Sequence, residues 1–160
     1  MRLMIAAVGR LKAGPERVLA SDYEARIAAS GRRAGITGLR TVELAESQNH
    51  AAPARMEEEA RALIATLPPR AMTIALDERG ITLGSEAFAR LIQRLADGGT
   101  PDLAFLIGGP DGHAPDIREG ASHILAFGPM TWPHRLVRIM LLEQIYRAIT
   151  IMVNHPYHRA

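Results

Sequence analysis

A chain of 160 residues, 48% hydrophobic and 22% charged, has the composition of one ordinary globular domain with room for a core, which argues against global disorder. The absence of cysteine excludes a disulfide scaffold and a thiolate metal site, and no apolar stretch approaches the roughly 20 residues of a membrane span, so a cytoplasmic protein is expected. The net charge of +2 is unevenly spread: every basic residue but Lys12 is arginine, and the C-terminal end carries Arg135, Arg138, Arg147 and Arg159 with His134, His155 and His158 against the single acid Glu143.

In chain order, the N-terminal run MRLMIAAVGR has one charge before a short apolar stretch that stops at Gly9-Arg10. A signal peptide needs a longer stretch and a cleavage site, so residues 2–8 are expected as a strand. Pro15 in a first turn and Gly31 beyond the end predict a helix over 15–29. Residues 36–44 alternate and carry β-branched side chains, the pattern of a strand. Residues 46–53 look like an exposed loop. A second helix is expected over 54–67, ended by Pro68-Pro69, with Glu57-Glu58-Glu59 as a solvated face near its positive end. AMTIALD (71–77) predicts a buried strand, and Ser85 a helix N-cap for a segment reaching about Ala96 before Gly98-Gly99. DLAFLIGG (102–109), a short helix near 115–121, HILAFG (123–128) and a long helix over 134–152 complete the chain. Strands alternating with helices predict an α/β domain with a mostly parallel sheet and flanking helices.

The last three strands end in Leu76-Asp77, Gly108-Gly109-Pro110 and Phe127-Gly128-Pro129. Ligands of open α/β sheets bind outside the carboxyl ends of strands, so these loops form one candidate crevice. LIGGPDG is neither a Walker loop nor a dinucleotide fingerprint. Its glycines either let backbone approach a flat ligand or simply make a tight turn. In FGPMTWPH, Met130 and Trp132 offer soft apolar surface to a ring, or fill core. In the terminal NHPYHRA, His155 and His158 lack a third ligand, so no metal is expected. Its rings and Arg159 suit contact with RNA or a reacting base. Arginine favours bidentate phosphate contacts, so the basic end points to a polyanion, although genomic base composition also enriches arginine.

LIGGPDG, FGPMTWPH with the following LVR, LLEQIYRA and NHPYHRA, together with AVGRLK and LDERGITLGSEAFA, resemble the 23S rRNA pseudouridine N3-methyltransferases of the SPOUT class. The resemblance spans nearly the whole chain and is strongest from about 71 to 160. It fits least near 46–53, where family members often carry lysines and this chain has SQNHAAPAR.

The resemblance implies a single domain over 1–160, a C-terminal trefoil knot, and a homodimer with the last helix in the interface. It implies S-adenosylmethionine as methyl donor and no metal. Positions matching the family's donor site are Leu76, Gly108, Phe127, Gly128, Pro129, Met130, Thr131 and Trp132. Glu143, Tyr157, His158 and Arg159 match positions around the target base, where Glu143, Tyr157 or His158 would assist proton removal and Arg159 and Arg135 would hold phosphate or uracil oxygens. The expected substrate is 23S rRNA within the assembled ribosome. The alternatives are a non-catalytic ribosome-binding module of the same fold and a generic nucleotide-binding α/β protein.

Overall fold

A computed structural model describes residues 1–158. The first strand, β1 (Arg2–Val8), explains the layering. Its side chains alternate, with Leu3, Ile5 and Ala7 in one core cluster and Met4, Ala6 and Val8 in another. A strand buried on both faces belongs inside a sheet covered on both sides. The chain continues through α1 (Pro15–Ser30), a 3-10 turn (Gly31–Ala34), β2 (Gly38–Leu44), α2 (Ala52–Ala65), β3 (Met72–Thr82) and α3 (Ser85–Asp97). It ends with β4 (Asp102–Ile107), α4 (Pro115–Gly120), β5 (His123–Ala126) and α5 (His134–Met152).

The expected α/β architecture is the one formed: one sheet in the order β2-β1-β4-β3-β5, every neighbouring pair parallel. Helices α1, α3 and α5 cover one face, packing Ile27, Phe88, Ile92, Leu142 and Ile145 onto Leu3, Ile5 and Phe105. Helices α2 and α4 cover the other face, where Ala60, Leu63 and Ile117 meet Ala6, Ala75 and Ala104. No helix among the described residues is long and apolar enough to cross a membrane.

Several local expectations change. Strand β3 runs past Asp77 to Thr82, because both Leu76 and Ile81 register with Leu125 and the four residues between them leave the ladder. Gly80 makes the return possible: a Cβ there would stand 2.5 Å from the backbone of Leu125. The N-cap of α3 is Gly84, and Ser85 instead donates its hydroxyl to Gln144 on α5 at 2.8 Å. Gly31 keeps right-handed geometry and the left-handed residue is Gly35, four positions on, because the 3-10 turn prolongs α1. Helix α2 starts at Ala52, inside the expected loop. Of its three glutamates only Glu57 and Glu58 are solvated; Glu59 is buried and accepts the Ser47 N–H at 3.0 Å.

Arg138 is the largest correction. Its place in the basic C-terminal end suggests a solvated charge, yet it is 1% exposed. From α5 its Nη1 donates to Glu43 on β2 and its Nη2 to the carbonyl of Gly9, beyond β1, at 2.6 Å. Glu43 also accepts the Leu11 N–H and a guanidinium N–H of Arg17, each at 3.0 Å. Its burial resists ionisation, but these donors together hold its carboxyl below the usual range. A buried cation that loses its counter-charge is strongly destabilising. Glu43→Gln should therefore cost roughly 3–5 kcal/mol in urea unfolding. Asp22→Asn, which breaks only the exposed pair with Arg26, should leave the midpoint near wild type. Equal effects of the two substitutions would remove Arg138 from its central role.

Candidate active site

The carboxyl ends of β4, β3 and β5 lie side by side and surround a pocket of about 310 Å³. Leu76 closes the first part of β3, Gly108 follows β4, and Phe127 and Gly128 follow β5; all four wall the pocket. Met130, Thr131 and Trp132 continue the wall, so seven of the eight positions matched to a donor site meet here, and Pro129, exposed, is the one outside it. The 127–132 segment folds back on itself, the Trp132 indole N–H donating to the Phe127 carbonyl at 3.3 Å. Gly128 has φ +102°, a backbone open to glycine at little cost, and a Cβ there would point into open space.

The glycines of LIGGPDG serve the turn itself. The Gly112 N–H donates to the Gly109 carbonyl at 3.0 Å, and a Cβ on Gly108 would stand 2.9 Å from the Gly112 backbone. A Cβ on Gly109 would stand 2.7 Å from the buried Glu59 carboxylate. Burial pushes the Glu59 carboxyl up. Arg55 of α2 clamps this turn from outside, donating Nε to Asp111 at 2.7 Å and Nη1 to the carbonyls of Asn49 and His50. Arg55 thereby holds Asp111 below the usual carboxylate range. The 46–51 loop is therefore pinned onto α2.

The pocket wall also carries charged and titratable groups: Asp77, Glu78, Arg79, Asp111, His113, Arg118 and His134. Asp77 lies 3.6 Å from Arg118 of α4. His113 is 2% exposed and bonds the Leu106 carbonyl through Nε2 at 3.2 Å. Its burial pushes the imidazole pKa down. Asp77 carried a signal as a strand-end residue of the candidate crevice. Glu78, Arg79, Asp111 and His134 stand inside stretches the sequence singled out, but none of these four was marked there as part of the pocket, and His113 and Arg118 carried no signal, because the fold alone brings these groups together.

The tail assembles elsewhere. Glu143, midway along α5, accepts the Tyr157 hydroxyl at 3.1 Å and Arg147 Nε at 2.9 Å, while Gln144 donates to its other oxygen at 2.7 Å. Tyr157 stands edge-on to Tyr146 at 4.7 Å, and burial, Tyr23 and Glu143 together push its phenol up, so it keeps its proton. Both ring nitrogens of His158 are enclosed without a hydrogen-bond partner, with Glu86 of α3 at 3.9 Å from Nε2. Glu143 lines a second cavity of about 430 Å³ that shares Leu76, Leu125 and Phe127 with the first; neither cavity has Tyr157 or His158 in its wall. Arg159 lies outside the described residues. Arg147 is paired with Glu143 and Arg138 is buried, so of the described C-terminal arginines only Arg135 is exposed. Among the described residues no group of three His, Asp or Glu side chains could hold a metal ion.

A family model described as "Predicted SPOUT methyltransferase" matches residues 1–158. The chain is 55% identical over 160 residues to the ribosomal RNA large subunit methyltransferase H of Rhodopseudomonas palustris strain CGA009, covering 100% of both chains. It is 52% identical over 160 residues to the protein of the same name in Xanthobacter autotrophicus, again covering 100% of both. The SpoU methyltransferase AviRb of Streptomyces viridochromogenes, solved with AdoMet, superposes with a TM-score of 0.39 at 13% identity, over 92% of this chain and 57% of that one.

Because His113 resists protonation in the folded chain, the unfolded chain binds more protons below about pH 6.5, and stability falls as pH drops through that value. His113→Gln, which keeps a donor for the Leu106 carbonyl, should flatten that loss when urea midpoints at pH 7.5 and 5.5 are compared. An unchanged slope would assign the titration to another group.

Proposed function

The chain belongs to the SPOUT methyltransferase family, and from that premise we propose that it transfers the methyl group of S-adenosylmethionine to N3 of a pseudouridine in 23S ribosomal RNA. The observation that carries this reading is the convergence of seven positions, separated by up to 56 residues in the chain from Leu76 to Trp132, on one pocket at three strand ends. A cleft of about 310 Å³ is of small-ligand size. Its residues suit such a donor: Trp132 and Met130 offer flat and polarizable surface to a purine, and the bare backbone at Gly128 admits close approach. When bound, the donor supplies an electrophilic methyl on a sulfonium sulfur. The protein's work is then to position the acceptor, for which good alignment is worth up to roughly 7–11 kcal/mol in favourable systems.

Two copies of the chain complete the site in this reading. Tyr157 and His158 lie against α5 and α3 of their own chain, outside the donor pocket. Val18, Leu19 and Leu136 leave apolar surface exposed on α1 and α5, which suits a homodimer packed through these helices. The tail of one protomer then holds the base over the donor pocket of its partner, with Glu143, Tyr157, His158 and Arg159 touching it and Arg135 on phosphate. A chain this small offers little surface to define an RNA target, so the assembled ribosome in the cytoplasm is the proposed substrate.

Incubation with radiolabelled donor and ribosomes from a strain lacking the modification should label a pseudouridine of 23S RNA; no labelling would sink the proposal. Trp132→Ala should weaken donor binding by calorimetry about tenfold, or about 1.4 kcal/mol, while Pro129→Ala stays within about threefold. Tyr157→Phe and His158→Ala should lower kcat with donor affinity intact, and full activity in both would remove the tail from the chemistry.

A further inference from the structure

We infer that His134, at the end of the FGPMTWPH stretch but outside the donor-site and base-site positions named above, accepts the proton of the target nitrogen and is oriented for it by Glu46. The inference rests on the methyl-transfer reading. An imide-type N–H must lose its proton to become a nucleophile, so the pocket needs a base that is free and neutral near pH 7.

Of the described imidazoles only His113 and His134 wall the pocket, while both ring nitrogens of His158 in the tail are enclosed away from it. Asp77 is engaged by Arg118 and Asp111 by Arg55. His113 is buried under the Leu106 carbonyl. Glu78 is exposed to water. In the tail, Glu143 is saturated by Arg147, Gln144 and Tyr157, and Tyr157 keeps its proton.

His134 opens α5 and walls the pocket. Its Nε2 lies 3.6 Å from Glu46 Oε1, and the ring packs so closely on Gly9 that a Cβ there would stand 2.7 Å from Nε2. A carboxylate beside Nε2 favours the tautomer with hydrogen on that atom and leaves Nδ1 as acceptor. The charged groups acting on the ring are Glu46 from the β2–α2 connection and Arg135 and Arg138 from α5. Burial and the two arginines lower its proton affinity and Glu46 raises it, the net direction being down, so the ring is neutral and ready to accept. In the step itself the N3–H bond breaks, its electron pair stays on N3, and the proton bonds to Nδ1 of His134. A bound donor would supply its methyl to the freed N3 pair, the carbon–sulfur pair staying with sulfur, and the imidazolium then releases its proton to water.

The test combines an imidazole NMR titration of the free protein with methyl transfer to ribosomes at saturating donor. His134→Gln should cut kcat at least about a hundredfold while calorimetric donor affinity stays within about threefold. Glu46→Gln should lower the NMR pKa of His134, and the acid limb of kcat should move down with it. Wild-type transfer with a His134→Gln variant of near-normal kcat overturns the inference alone, as does an acid limb that stays fixed while the NMR pKa moves. A wild-type chain that binds donor but transfers no methyl overturns the methyl-transfer reading and this inference together. If His134→Gln does not fold, the Glu46→Gln limb decides.

Discussion

One guanidinium, taken out of water, sets the geometry of this protein. Both terminal nitrogens of Arg138 find acceptors only where α5 crosses the end of β1 and the side chain of Glu43 on β2, which fixes the axial position of the helix. A lysine would not replace it closely, since its single nitrogen would have to meet both acceptors that the guanidinium reaches with two separate nitrogens of a planar fork. Everything the helix carries inherits that register. His134 and Val137, in its first turn, are pressed into the wall of the pocket. Glu143 falls between Arg147 and Tyr157. The Gly9 carbonyl that receives Arg138 belongs to the residue whose missing side chain makes room for the His134 ring. One polar contact thus connects the core to both ends of the proposed chemistry.

Much of the fold was legible because hydrophobic patterning is a physical cause of it. Short apolar strands alternating with helical stretches require a sheet covered on both faces, and the five strands and five helices formed close to their expected places. The misses come from long-range effects that no local window contains. The continuation of β3 past Asp77 depends on β5 lying beside it. Ser85 looks like an N-cap until Gln144 on another helix takes its hydroxyl. Glu59 sits in a run of glutamates that looks uniformly wet, yet only its rotational position on α2 turns it under the glycine turn.

The candidate site was legible in its backbone and illegible in its charges. Strand ends, glycines and the Met-Thr-Trp run stand at positions that chain order alone marks as neighbours in an α/β sheet. Ionisable groups have no such marker. His113, Arg118 and His134 come from three elements, and their company depends on tertiary geometry. The C-terminal arginines show the opposite error: proximity in sequence suggested one basic surface, whereas Arg138 turned inward and Arg147 closed on a glutamate one helical turn away.

The four residues between Leu76 and Ile81 leave the sheet and return to the same partner, Leu125. Such an excursion uncouples length from alignment. Evolution or a protein engineer can lengthen, shorten or recolour Asp77–Gly80 and reshape one side of the cleft, while β5 keeps its hydrogen-bonding partners on either flank. The kink works as an expansion joint, a place where ligand preference can drift without disturbing the scaffold that supports it.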